Sequence, residues 1–141
     1  MKGSRHFRVS ALLSACVMSL IATASWSQSI TWLGTLGGNE SRAYGVSADG
    51  SVVVGWSYNA AGWYRAFRWT ALGGMQDLGT LGGYWGWALG VSADGSVVVG
   101  WAEKAAVCNR AFRWTVDGGM QDLGTLGGDE SEAWEIGRAH D

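Results

Sequence analysis

The chain has 141 residues, a formal net charge of −2 and 16% charged residues. This composition provides no basic surface of the kind that binds nucleic acid. Glycine occurs 23 times and proline not at all, and so much glycine without a triplet period indicates many tight turns rather than a collagen-like helix.

The N-terminus predicts a secretory signal peptide over residues 1–24. Three basic residues come first: Lys2, Arg5 and Arg8. An apolar stretch follows at residues 9–21, and the small residues at 22–24 match the pattern that signal peptidase recognises. We expect cleavage after Ala24, with Ser27 as the alternative. The apolar stretch is shorter than the ~20 residues that cross a bilayer, which disfavours a transmembrane anchor.

A lipoprotein signal is the alternative, because residues 13–16 (LSAC) resemble a lipobox in which Cys16 is acylated. The apolar run continues past Cys16, so the ordinary signal is favoured. Cleavage after Ala24 leaves 7 basic and 12 acidic residues, a net charge of −5. Cys108 is then the single cysteine, and no intrachain disulfide is expected. We expect a secreted, periplasmic or cell-surface protein.

The rest of the chain repeats every 45 residues. LGTLGG begins at Leu33, Leu78 and Leu123, VSADGSVVVGW at positions 46 and 91, and RAFRWT at positions 65 and 110. Such a strict period predicts an array of like supersecondary units, each packed on its neighbours. Residues 25–134 therefore hold two full units and the beginning of a third.

Each unit contains two predicted hairpins. In the first copy, strands at residues 43–47 and 51–56 flank an Asp-Gly turn, and strands at 66–70 and 75–81 flank a Gly-Gly turn. Both turns favour tight hairpins because glycine accepts a positive φ. No segment beyond the signal has helical apolar periodicity. The sequence thus predicts an all-β fold of antiparallel, four-stranded units.

The run of three valines at residues 52–54 predicts how the sheets are layered. Consecutive strand residues point to opposite faces, so this run indicates a sheet that is covered on both sides. Four-stranded units of this length are typical of β-propeller blades, and a β-sandwich is the alternative. Because propellers usually have about four or more blades, we expect an incomplete ring whose end surfaces bind further repeats or another copy.

Residues 135–141 (EIGRAHD) leave the register of the repeat. Glu135 stands where Gly45 and Gly90 predict a glycine. We expect that this tail is not native repeat sequence, and that the natural product continues with GVSADG-like units.

The distribution of polar residues disfavours an enzyme. The two histidines, His6 and His140, lie in the signal and in the tail, so the repeats have no histidine base. Four aspartates recur at matching places and indicate turn and strand-end hydrogen bonding: Asp49, Asp94, Asp77 and Asp122. Residues 129–132 are acidic but lack the spacing of a calcium loop. We predict no catalytic, metal-binding or cofactor-binding residue.

Residues that are shared by both copies are interpreted as architecture. The tryptophans expected in the core are Trp56, Trp69, Trp101 and Trp114. The arginines expected to pack on aromatic rings or to pair between strands are Arg65, Arg68, Arg110 and Arg113.

Two stretches differ between the copies and are the more informative about function. Residues 39–42 (NESR) become YWGW at 84–87 and DESE at 129–132, and residues 57–64 become a different octapeptide at 102–109. Variable loops on a rigid frame are the usual place for binding. Six rings in these stretches are candidates to bind a glycan or a protein partner: Tyr58, Trp63, Tyr64, Tyr84, Trp85 and Trp87. The alternative is that these rings seal gaps between units.

The strings LGTLGG, GVSADGSVVVGW, RAFRWT and GGMQDLGTLGG together resemble the HAF-type extracellular repeat family, over nearly all of residues 32–134. The resemblance implies a bacterial exported protein built from many such units, followed in some members by an outer-membrane barrel or a sorting anchor. It implies no enzymatic activity, cofactor or catalytic residue.

The favoured function is therefore a non-enzymatic, exported repeat scaffold that serves surface interaction or adhesion through its variable loops. One alternative is a carbohydrate-binding module that uses the loop tryptophans. Another is a fragment of a larger extracellular enzyme. No nucleic-acid partner is expected, and membrane attachment would need a lipidated Cys16 or an anchor in further sequence.

Overall fold

The structure, a computed structural model, describes residues 29–105 and 108–137. The chain divides into two compact units, Met1–Ile30 and Thr31–Asp141, and the described strands all lie in the second. The predicted signal peptide, with His6 and Cys16, lies outside the described residues, as does His140.

The described residues form eight β-strands and no helix. Sheet 1 contains β1 (Gly37–Val46), β2 (Val52–Asn59), β3 (Tyr64–Thr70) and β4 (Gly74–Asp77). Sheet 2 contains β5 (Gly82–Val91), β6 (Val97–Lys104), β7 (Cys108–Thr115) and β8 (Gly119–Asp122). Each sheet is antiparallel, with its strands in chain order. The predicted all-β class with four-stranded antiparallel sheets is confirmed. Within the described ranges, no helix is present that could cross a membrane.

The two sheets have the same strand register, displaced by 45 residues. Val52 lies opposite Thr70 in sheet 1, and Val97 lies opposite Thr115 in sheet 2. The β1–β2 and β5–β6 pairs also share two register shifts at matching positions. The sequence period is therefore reproduced residue by residue in the pairing of the strands.

Asp-Gly turns close the first hairpin of each sheet, as predicted. Asp94 Oδ1 accepts hydrogen bonds from Ser92 Oγ at 2.6 Å, from Ser96 Oγ at 2.8 Å and from the Ser96 N–H at 3.0 Å. Asp49 is held in the same way by the serines on its two sides. Gly95 has a φ of 73°, which side chains disfavour. The turn role of these aspartates is confirmed.

These hydrogen bonds predict an acid-sensitive contribution to stability. The side-chain hydrogen bond from Ser92 is the largest cause that lowers the pKa of Asp94 from 3.8 to about 2. The backbone hydrogen bond from Ser51 is the largest cause that lowers the pKa of Asp49 to about 2. Because the folded-state pKa lies below the unfolded value, the contribution is present above about pH 3.8 and is lost as the pH falls toward 2.

NMR titration of the carboxyl carbons should give midpoints near 2 for both aspartates. Ser92→Ala should raise the pKa of Asp94 and leave that of Asp49, the internal control, unchanged. A midpoint of 3.8 for Asp94 in the unaltered chain would contradict the hydrogen-bonded turn.

The fourth strand of each sheet ends earlier than the sequence predicts. β4 ends at Asp77 and does not continue to Leu81. Asp77 Oδ1 accepts a hydrogen bond from the Gly79 N–H at 2.8 Å, and this bond turns the chain. Leu78 then donates its N–H to Ala66 O at 2.9 Å and places its side chain in the core. The predicted strand-end role of Asp77 is confirmed, although the strand itself is shorter.

One face of sheet 1 packs on one face of sheet 2, and these are called the inner faces. The inner face of sheet 1 carries Val52, Val54, Trp56, Ala66 and Arg68. The inner face of sheet 2 carries Val98, Ala102, Phe112 and Trp114. Most of these residues belong to a single buried cluster. The Arg68 guanidinium lies 6.0 Å from the centre of the Trp114 ring and confirms the predicted cation–π packing for this arginine.

The opposite, outer faces are covered unevenly: Phe67, Val99 and Ala111 are buried, and the other apolar residues are half-buried. The outer face of sheet 1 carries Val53, Phe67, Trp69 and Met75, and that of sheet 2 carries Val97, Val99, Trp101, Ala111 and Arg113. The sequence predicts all four repeated tryptophans in the core, and this prediction is wrong for two of them. Trp56 and Trp114 lie on inner faces and are buried, whereas Trp69 and Trp101 lie on outer faces and are half-buried.

Residues 123–137 form no strand, and the part from Ser131 to Glu135 lies against sheet 2. This segment lies against sheet 2 in the same way as β5 lies against sheet 1. A methyl group on Gly45 would lie 3.5 Å from Leu89 O, and one on Gly90 would lie 3.3 Å from Trp134 O. The beginning of the third repeat thus packs on sheet 2 as β5 packs on sheet 1.

Candidate functional site

The two variable stretches of each repeat are paired neighbours in the structure. The beginning of β1 lies beside the end of β2, with Ser41 opposite Ser57 and Gly37 opposite Asn59. In sheet 2, Gly86 lies opposite Ala102 in the same way. Variable side chains therefore gather at the end of each sheet that is remote from the Asp-Gly turn.

Nine aromatic rings at this end form one connected network across the two sheets, with ring centroids 4.8 to 6.4 Å apart. We call this network the aromatic cluster, and its members are Tyr44, Trp56, Tyr58, Trp63, Tyr64, Tyr84, Trp85, Trp87 and Trp101. It brings together all six rings that the sequence singled out. Residues from both repeats are needed to build it.

The inner part of the aromatic cluster joins sheet 1 to β5. Trp87 stacks on Trp56 with centroids 5.8 Å apart, and Tyr64 stacks on Trp85 at 5.4 Å. The indole Nε1 of Trp87 is buried and has no hydrogen-bond partner among residues 29–105 and 108–137. The faces of these rings contact one another, so the rings fill the contact between the two sheets. This packing agrees with the alternative that the rings seal gaps between units.

The outer part of the aromatic cluster is open to solvent. Trp63 and Tyr84 stack with centroids 4.8 Å apart, and they are 36% and 59% exposed. Tyr44 is also exposed, and its hydroxyl accepts a hydrogen bond from Trp56 Nε1 at 3.3 Å. Tyr58 is half-buried beside Trp56. Trp63 and Tyr84 thus form a stacked, accessible aromatic surface.

A polar cleft of about 760 Å³ opens beside the aromatic cluster in sheet 1. It is lined by Gly37, Gly38, Asn39, Glu40, Tyr58, Asn59, Ala60 and Gly62. The matching cleft in sheet 2 is smaller, about 200 Å³. There Glu103 replaces Tyr58, and its Oε2 accepts a hydrogen bond from the Tyr84 N–H at 2.7 Å. The same frame therefore presents two clefts of different size and polarity.

Two ion pairs, each between strands of one sheet, lie near this end. Arg65 Nε lies 3.3 Å from the Asp77 carboxylate, and Lys104 Nζ lies 2.9 Å from that of Asp122. The hydrogen bond from Lys104 is the largest cause that lowers the pKa of Asp122. No group of three metal-ligating residues occurs in the part of the chain that the structure describes. The arrangement offers ring faces, amides and a carboxylate for binding.

Sequence reasoning missed three members of the aromatic cluster. Trp56 and Trp101 recur in both copies, so the sequence places them in the core, and it assigns no role to Tyr44. A signal for Tyr44 was present, because its counterparts are Leu89 and Trp134 although the residues around them repeat. Variation at a single position inside a repeated string marked this residue.

Comparisons of this chain with protein-family models, with curated proteins and with solved structures found no match. The repeated strings and the geometry of the aromatic cluster are therefore the observations that bear on function. The HAF-type resemblance stays a prediction from those strings.

Proposed function

We propose that this chain is an exported, non-enzymatic repeat scaffold of the β-propeller type that binds a surface partner through its variable residues. The observation that carries the proposal is the pairing of the two variable stretches at the same end of both sheets. The strands that carry these stretches pair in the same register in both sheets. A constant frame with variable side chains at one end is the usual arrangement of a binding scaffold.

The convergence of equivalent residues supports a radial arrangement of the units. A cavity of about 260 Å³ is lined by three matching segments: residues 44–46, 89–91 and 134–136. In a propeller, the blades are arranged around a central channel, so equivalent residues of successive blades meet there. A two-sheet sandwich does not require this convergence.

The N-terminal sequence and the polar residues of the repeats support export and a non-enzymatic role. The basic and apolar N-terminus with a small-residue cleavage site is typical of secreted proteins. Residues 29–137 contain no histidine, and the acidic groups Asp77 and Asp122 are committed to ion pairs and strand-end hydrogen bonds. These features favour a binding role over a hydrolytic one.

A second candidate function, carbohydrate recognition, is favoured by one observation. The stacked and exposed pair of Trp63 and Tyr84 lies beside a cleft that contains Asn39, Glu40 and Asn59. Aromatic faces next to amides and a carboxylate suit the apolar and hydroxyl faces of a sugar. Trp85 and Trp87, two of the loop tryptophans, are less suited to this role because their faces contact other rings.

The test is a binding screen of the purified chain on arrayed glycans and on extracellular proteins. The double variant Trp63→Ala/Tyr84→Ala should weaken the detected binding about tenfold or more, because both rings are exposed in one patch. Trp32→Ala is the matched control, since Trp32 is exposed outside the aromatic cluster. A protein ligand would support the first candidate and a glycan the second. An equal loss in the Trp32→Ala control would refute both.

A further inference from the structure

The polar clefts of the two sheets differ in what occupies the same place. Six lining positions are equivalent in the two repeats, and in sheet 2 they are Gly82, Gly83, Tyr84, Glu103, Lys104 and Ala105. The Glu103 side chain is buried there, and its carboxylate accepts the hydrogen bond from the Tyr84 N–H. Tyr58 holds this position in sheet 1, and its ring packs edge-on against Trp56 and Tyr64. The larger cleft of sheet 1 therefore has no carboxylate from this position.

The backbone N–H group that holds the Glu103 carboxylate has an equivalent in sheet 1. Both sheets have a register shift at this place in the pairing of their first two strands. Asn39 in sheet 1 and Tyr84 in sheet 2 lie within the shifted part, where a residue is left out of the ladder of strand hydrogen bonds. In sheet 2 the Glu103 carboxylate provides the acceptor. In sheet 1 the carboxylate of a bound molecule can provide it, because Asn39 lines an open cleft.

A fixed amide and an ion pair complete the polar lining of the sheet 1 cleft. Asn59 Oδ1 accepts hydrogen bonds from the N–H groups of Ala61 and Trp63, both at 3.0 Å. The orientation of this amide is thereby set, and its NH₂ group remains to donate. Glu40 would repel an anion, but its Oε1 accepts a hydrogen bond from Arg42 Nε at 2.9 Å, and the charge of Arg42 offsets its own. The cleft can therefore hold an anion although Glu40 lines it.

We propose that the sheet 1 cleft binds the carboxylate of an acidic sugar, a hexuronic acid residue of a glycan. Asn39 N–H and the Asn59 amide donate to this carboxylate, and Glu103 makes the equivalent contact within the chain. A sugar is favoured over an acidic peptide because the stacked, exposed rings of Trp63 and Tyr84 lie beside the cleft and suit the apolar face of a sugar ring. The inference rests on the second candidate function, carbohydrate recognition, and adds the charge of the sugar and the groups that recognise it.

Titration calorimetry of the whole chain tests the role of the carboxylate. The probes are trisaccharides of galacturonate, mannuronate and glucuronate, and each is compared with its own methyl ester. One acid or more should bind at least about tenfold more tightly than its ester, because esterification keeps the sugar ring and removes the charge. The Asn39 amide signal should shift in the heteronuclear NMR spectrum of that complex.

The outcomes separate this inference from carbohydrate recognition itself. Equal binding of acids and esters, or binding of neutral glycans alone, would overturn the carboxylate inference and leave carbohydrate recognition standing. If no glycan of any class binds, carbohydrate recognition fails as well. A tetraglutamate peptide that binds more tightly than every uronate and shifts the Asn39 amide would overturn the choice of a sugar.

Tyr58→Glu should close the sheet 1 cleft, because it gives this sheet the residue that sheet 2 has at the same position. Its affinity for the acidic trisaccharide should be at least about tenfold lower than that of Tyr58→Gln, which also lacks the ring but carries no charge. If circular dichroism shows that Tyr58→Glu is unfolded, Asn39→Pro, which removes the N–H, is compared with Asn39→Ala, which keeps it. The proline variant should bind at least about tenfold more weakly. Equal affinities within the pair that is measured would overturn the proposal.

Discussion

Gly100→Ala should lower the free energy of unfolding by about 3 kcal/mol. A methyl group on Gly100 would overlap the carbonyl oxygen of Trp87 and lie 3.0 Å from Ala88 Cα. Both obstacles are backbone atoms of β5, so the strand itself must move away from β6. This movement would weaken the strand pairing and shift Trp87 within the aromatic cluster. Urea unfolding followed by tryptophan fluorescence measures the change.

Gly86→Ala is the control for this effect, because Gly86 is buried in the same pair of strands. A methyl group there would lie 3.5 Å from Ala102 Cβ, which is an ordinary contact. We expect its free energy of unfolding to change by less than about 1 kcal/mol, since the substitution also restricts the unfolded chain. Equal losses for Gly86→Ala and Gly100→Ala would show that the close approach of β5 is not the cause.

Phe112→Ala should cost about 4 kcal/mol of stability. Phe112 is fully buried between the inner faces of the two sheets. Each sheet is fixed by its own hydrogen bonds and can collapse little into the space that the ring leaves, so both the burial and the contacts are lost. The same urea titration gives the value. If the chain is already unfolded without urea, circular dichroism will show the loss directly.

Leu72→Ala is the matched control for Phe112→Ala, because Leu72 is a large apolar residue that is fully exposed. Its free energy of unfolding should stay within about 0.5 kcal/mol of the unaltered chain. A loss below about 1 kcal/mol for Phe112→Ala would show that the inner faces do not form the main core.

The aromatic cluster contains both packed and exposed rings, because a large ring has two faces and an edge. Trp56 and Trp87 use their faces for the contact between the sheets. Trp63 and Tyr84 use one face for each other and leave the rest in solvent. Aromatic residues therefore stabilise the contact between the sheets where they are packed, and form the proposed binding surface where they are exposed.

Local patterns in the sequence predicted the local structure well. The Asp-Gly turns, the alternating strands and the 45-residue period gave eight strands in two like sheets, since turn geometry and strand alternation depend on neighbouring residues in the chain. The end of β4 was mispredicted, because the side chain of Asp77 accepts the backbone bond that a longer strand would have needed. The variable stretches were found from the sequence as well, although not their pairing.

The sequence by itself determined the all-β fold, the turns and the positions at which the repeats differ. It could not determine which copy of a repeated residue is buried. Trp56 and Trp101 have the same local sequence, and Leu78 and Leu123 hold the same position of a repeated string, yet their exposure differs. Burial depends on whether another sheet covers that face, and only the tertiary structure decides this, because the covering residues lie tens of positions away in the chain.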